Sequence, residues 1–119
     1  MIRSFVMFAG FLLATPVLAE GFQTVRDKGK FLSLVSGKDL RIPLWGITLK
    51  VMPDGKITGS ALGRPVTGAW QWQEGYFCRD LTWGERELGP NCQEVKVQGR
   101  TVRFTSDRGE GMFADLTLR

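Results

Sequence analysis

From residue 45 onward, apolar and polar residues alternate in short runs set apart by turn formers. Trp45-Gly46-Ile47-Thr48-Leu49-Lys50-Val51 reads as a strand with Ile47, Leu49 and Val51 on one face, because successive strand side chains point to opposite sides. Pro53-Asp54-Gly55-Lys56 is a turn, since Asp-Gly supplies the positive φ angles a tight hairpin needs. Ile57–Ala61 returns, Gly63-Arg64-Pro65 turns again, and Val66–Trp72 and Tyr76–Trp83 follow on either side of Gln73-Glu74-Gly75. The stretch Gly84–Asn91 reads as a polar loop. Cys92–Val97 and Thr101–Thr105 alternate around Gln98-Gly99-Arg100, Asp107–Gly111 is a last loop, and Met112–Leu118 closes the chain.

Ahead of this region the pattern is different. Phe31, Leu32, Leu34 and Val35 predict a short helix near 27–36, with Asp27 as its N-cap and Gly37 just past its end; Gly29 weakens it. About seven strands at 8–12-residue spacing predict a mainly β fold, a small antiparallel meander barrel or sandwich with a short N-terminal helix. No βαβ rhythm is present, which argues against a parallel doubly wound sheet.

The first 19 residues carry one charge, Arg3, then an apolar run from Phe5 to Ala14, then Val17 and Ala19 before Glu20. A basic start, a short apolar stretch and small residues at −3 and −1 are the parts of a secretory signal peptide. The run is too short for a stable bilayer span, which takes ~20 residues. The expected organisation is a signal peptide over 1–19, cleaved between Ala19 and Glu20, and one β domain over 20–119, periplasmic or secreted, with no membrane span after cleavage.

Composition narrows the chemistry. Without residues 1–19 the chain keeps all 12 acids and all but one of the 16 bases, and the bases are scattered singly. That is not the clustered basic stripe of a nucleic-acid binder, and no nucleic-acid partner is expected. Cys78 and Cys92 are the only cysteines, and in an oxidising compartment they predict one structural disulfide. His is absent altogether. That removes Ser-His-Asp and Cys-His catalysis and the common zinc sites, so no catalytic residue, metal or cofactor is expected. Carboxylate pairs at Glu85 and Glu87 or at Asp107 and Glu110 lie in polar loops, where solvation is the ordinary role. Gly109-Glu110-Gly111-Met112-Phe113-Ala114 matches a dinucleotide-binding G-x-G-x-x-A pattern, but it runs into strand-like alternation instead of a helix.

The aromatic residues are the remaining signal. Trp70 and Trp72 share one strand face, Trp83 precedes the polar loop, and Trp45 opens the first strand. They fill the core of a small barrel, or they line a ligand cavity in which Arg79 or Arg108 orients an anionic group. Both readings stay open on sequence alone. Arg79 also has an ordinary role as a surface partner of Asp80.

The segments Gly68-Ala69-Trp70-Gln71-Trp72, Gly75-Tyr76-Phe77-Cys78-Arg79 and Asp107-Arg108-Gly109-Glu110-Gly111 resemble those of uncharacterised small exported bacterial β-proteins with a G-x-W-x-W…G-Y-F-C-R…C-Q…D-R-G-x-G layout. The resemblance covers about residues 24–119. Some such proteins carry a dihydrodipicolinate reductase label. That enzyme is a two-domain nucleotide-binding protein of the cytoplasm, and a chain with no usable nucleotide fingerprint does not take over its activity. The layout is also loosely similar to small barrel inhibitors of periplasmic proteases and lysozymes.

The functional expectation is a non-enzymatic, extracytoplasmic β-barrel binding module, a monomer, for a small ligand or an envelope protein. Its candidate ligand-binding residues are Trp70, Trp72, Arg79, Trp83 and Arg108. The alternative is an inhibitor of a secreted hydrolase (protease or lysozyme) acting through a loop or through segment 20–38.

Overall fold

Alternation along the chain becomes the wall of an antiparallel barrel. The computed structural model describes residues 21–119; the expected signal peptide 1–19 and its cleavage point at Ala19 and Glu20 lie outside the described residues. The elements run β1 (Gln23–Val25), α1 (Lys28–Val35), β2 (Leu40–Ile42), β3 (Ile47–Val51), β4 (Lys56–Ala61), β5 (Arg64–Gln73), β6 (Tyr76–Trp83), β7 (Arg86–Gln98), β8 (Thr101–Thr105) and β9 (Phe113–Leu118). The sheet order is β1-β7-β6-β5-β4-β3-β2-β9-β8, and a further pairing of β7 with β8 closes strands β2 to β9 into an eight-stranded barrel. Closure leaves few free edges to aggregate. β1 takes the edge of β7 that β6 has left, pairing Gln23, Thr24 and Val25 with Val97, Lys96 and Val95.

Tight turns set the register. Leu62-Gly63 and Glu74-Gly75 have positive φ at both central residues, the turn whose twist matches a right-handed hairpin. β3–β4 and β5–β6 each leave no room for a side chain at one glycine. A Cβ on Gly59 would collide with the Thr48 carbonyl oxygen, and one on Gly68 with that of Asp80. Only glycine allows backbones to approach that far.

Three expectations about element boundaries are corrected. Gly84–Asn91 is not a loop: the turn is confined to Gly84-Glu85, and β7 runs unbroken from Arg86 to Gln98. Leu81 pairs with Gly89 but Thr82 with Glu87, so Leu88 is an extra residue that bulges the strand. Pro90 is tolerated because this stretch of β7 pairs only with β6, leaving its other edge without a ladder. Trp45 does not open a strand; Pro43–Trp45 is a single 3₁₀ turn ended by Gly46 at φ 61°, and β3 begins at Ile47. Arg64 and Pro65 belong to β5 rather than to the turn before it.

The helix forms over 28–35. Asp27 caps it, its carboxylate accepting from the Lys30 amide at 2.9 Å, and the Ser36 amide closes its end on the Leu32 carbonyl. α1 follows β1 and plugs one end of the barrel. Phe31 and Val35 are fully buried, and Phe31 sits between Trp70, Trp72, Phe77 and Phe104 at ring separations of 4.9–6.4 Å. Burying each such side chain stabilises the fold by about 1.5–3 kcal/mol. Trp72 Nε1–H donates to the Arg26 carbonyl at 2.9 Å, which ties the approach to the helix to the β5–β6 hairpin.

Candidate functional site

The plug leaves part of the barrel interior open. An up-and-down meander places the β3–β4, β5–β6 and β7–β8 turns at the helix end, and the β2–β3, β4–β5, β6–β7 and β8–β9 connections at the other. Above Phe77 and Phe104 the interior holds a cavity of about 180 Å³. β2 and β3 supply Leu40, Ile42, Ile47, Leu49 and Val51 to its wall, β4 and β6 supply Ile57 and Leu81, and β9 supplies Ala114 and Leu116. Ile42, Ile47, Leu49 and Leu81 remain partly accessible although they point inward, as lining residues of an open mouth do.

Two polar side chains enter this apolar space, Arg79 from β6 and Gln93 from β7. Arg79 Nη1–H donates to the Gly89 carbonyl oxygen at 2.8 Å. Gly89 pairs with Leu81, so the guanidinium lies one inward position nearer the mouth than its own Cα. Burial pulls the Arg79 pKa down, and the Asp80 charge opposes that shift. Arg79 has no ion-pair partner among the described residues. Gln93 makes one long bond, Nε2 to the Ser106 hydroxyl at 3.4 Å. The cavity is therefore an apolar pocket with one under-partnered guanidinium, whose planar fork matches an oxyanion.

The structure does not gather the five candidate ligand-binding residues. Arg79 alone lines the cavity. Trp70 is 4% exposed beneath it, its Nε1–H held by the Met52 carbonyl at 2.8 Å. Trp72 packs on Phe31 beside the helix. Trp83 lies at the mouth end of β6 with Nε1–H on the Ala61 carbonyl and Arg64 across its ring. Arg108 lies outside the wall, over the Tyr76 ring and 3.6 Å from Glu74. The cysteines form the disulfide, joining directly paired positions of β6 and β7. They alternate with inward Phe77 and Gln93, so the bond lies on the outer face of the wall.

The carboxylates read as ordinary loop groups do not converge on the cavity either. Glu85 and Glu87 are exposed at the β6–β7 turn. Asp107 is held by Asn91 through two reciprocal bonds of 2.9 Å, in a turn where Asp107 and Arg108 both adopt left-handed backbone. No cluster of potential metal ligands occurs among the described residues.

The mouth has its own character. Of the seven large hydrophobic residues exposed among the described residues, Leu44, Trp45, Leu62, Leu88, Met112 and Phe113 all lie on or beside the four connections at the open end. Leu44 and Met112 are 88% and 87% exposed.

No known protein family, curated protein or solved structure matches the chain. The cavity wall was visible in the sequence only as strand alternation. Nothing in that alternation marks Ile42, Leu49 or Leu116 as lining an opening while Val95 and Val102 pack solid core.

Proposed function

We propose that this protein is a non-enzymatic binding module that holds one small, largely apolar ligand inside its barrel and works outside the cytoplasm. The observation that carries the reading is the half-plugged barrel: a helix seals one end, and above it an apolar cavity opens through a hydrophobic mouth. Eight-stranded barrels are just wide enough to hold one small ligand, and small-molecule sites are typically apolar with a few placed polar groups. The extracytoplasmic setting is supported by the disulfide and by the signal-like residues 1–19. Among the described residues no helix is long and apolar enough to cross a membrane. Segment 20–38 is one of the two routes open to an inhibitor, a loop being the other, and its Val25, Phe31 and Val35 are fully buried at the barrel's closed end.

The test is binding of a neutral apolar fluorophore, N-phenyl-1-naphthylamine, to the wild-type protein and to Ala114→Phe. Ala114 is small, exposed and part of the cavity lining, directly across from Phe104, so Phe there fills the space above the cavity floor. Saturable fluorescence enhancement in the wild type, lost in the variant with the circular dichroism unchanged, is the expected result. Equal enhancement in both proteins, or none in the wild type, contradicts interior binding.

A further inference from the structure

We infer that the ligand is a single-chain anionic amphiphile, its oxyanion held by Arg79 near the mouth and its tail lowered toward Phe77 and Phe104. The inference rests on the interior-binding reading above and adds the chemical class and the orientation of what is bound.

Arg79 is short of partners. A guanidinium carries five N–H donors and a fixed charge. Here one donor is satisfied at 2.8 Å by Gly89, and no carboxylate among the described residues forms an ion pair with the group. An aliphatic residue in that position would continue the lining set by Ile47, Leu49 and Leu81 at lower desolvation cost. An unpaired cation set into an apolar wall is what an anionic ligand needs, since fork-shaped, charge-assisted hydrogen bonds to an oxyanion are about twice as strong as neutral ones.

Placement sets the orientation. The guanidinium is held at the level of Leu81 and Gly89, toward the open end, where a charged head keeps access to water. Below it the space is aliphatic and aromatic apart from Gln93, which pairs with Phe77 at the floor, and it ends on Phe77 and Phe104. Gln93, with its amide NH₂ only weakly engaged, is the second polar group within the wall. A cavity of about 150 Å³ holds a benzene molecule, so about 180 Å³ suits a tail on the order of six to eight carbons.

The experiment is isothermal titration of the purified protein with octanoate, 1-octanol and octylammonium, which share a tail and differ in head charge. The expected order is octanoate at least about tenfold tighter than octanol, with octylammonium weakest. In Arg79→Gln the preference for octanoate over octanol disappears while octanol binding persists; in Arg79→Lys part of the preference returns. Equal affinity for octanoate and octanol in the wild type overturns the anionic class and leaves interior binding standing. No binding of any of the three, together with no fluorophore binding, overturns both. The wild-type comparison decides the matter even if an Arg79 variant folds poorly.

Discussion

The Arg79 guanidinium and the Gly89 carbonyl oxygen meet at 2.8 Å across the β6–β7 pair, and that one bond holds a charge inside an apolar cavity. On the proposed binding reading, such a group serves a ligand at the expense of the empty fold. Arg79→Leu removes a desolvated cation from an aliphatic lining, and the gain offsets the lost hydrogen bond. Urea unfolding of the ligand-free variant is expected to show unchanged stability or a gain of about 1 kcal/mol. A loss of more than about 1 kcal/mol would mean that Arg79 is structural.

The helix plug is the next dependence. Phe31 is fully buried among four aromatic rings, and truncating a buried Phe costs about 3–5 kcal/mol. Phe31→Ala should lower the unfolding free energy by that amount and weaken the near-ultraviolet dichroism of Trp70 and Trp72. Asp27→Ala, which removes only the cap, should cost about 1 kcal/mol. Equal effects of the two changes would contradict the plug.

The disulfide should stabilise without shaping the site. Cys78 and Cys92 are 14 residues apart and lie on the outer face of the barrel wall. Replacing both by Ser should cost about 3 kcal/mol in the chain-entropy account. Fluorophore affinity measured below the new melting temperature should stay the same. A weakened affinity would place the bond in control of the cavity.

Acid should loosen the β8–β9 pair through Asp115. The Arg103 guanidinium donates to both its carboxylate oxygens at 2.7 and 2.9 Å and sits between the Phe22 and Phe113 rings. Those bonds hold the Asp115 pKa below its ordinary value. A carboxyl whose folded pKa is depressed contributes stability that is fully present above the unfolded value, near 4, and lost as pH falls through the folded one. Asp115→Asn should therefore flatten part of the stability decline below about pH 4. An unchanged acid profile in that variant would show that the pair has no net weight.

Much of this architecture was legible in the residues. Asp54-Gly55 and Glu74-Gly75 mark hairpins, Asp27 marks the start of α1, and Ile47, Leu49 and Val51 share the inward face their spacing predicts. The errors have physical causes. β1 and β2 are three residues each, too short to show a period. The start of β7 is polar, with Gly89 and Pro90, because it lies along an edge where alternation is not enforced by a packed neighbour. The site was half visible. Arg79 could be named as a cation beside aromatic residues, but whether Trp70 lines a cavity or floors it depends on which end of the barrel the helix fills. That is a tertiary choice, and local sequence does not encode it.

The most direct test of a ligand inside the half-plugged barrel is a set of intermolecular nuclear Overhauser effects between octanoate and the methyl-labelled protein. The account predicts contacts from the terminal methyl of the chain to Ile57, Val51 and Leu116, with the carbon next to the carboxylate nearer Leu81. Contacts confined to Leu44, Leu62 and Met112 on the rim, or none with the interior methyls, would contradict it.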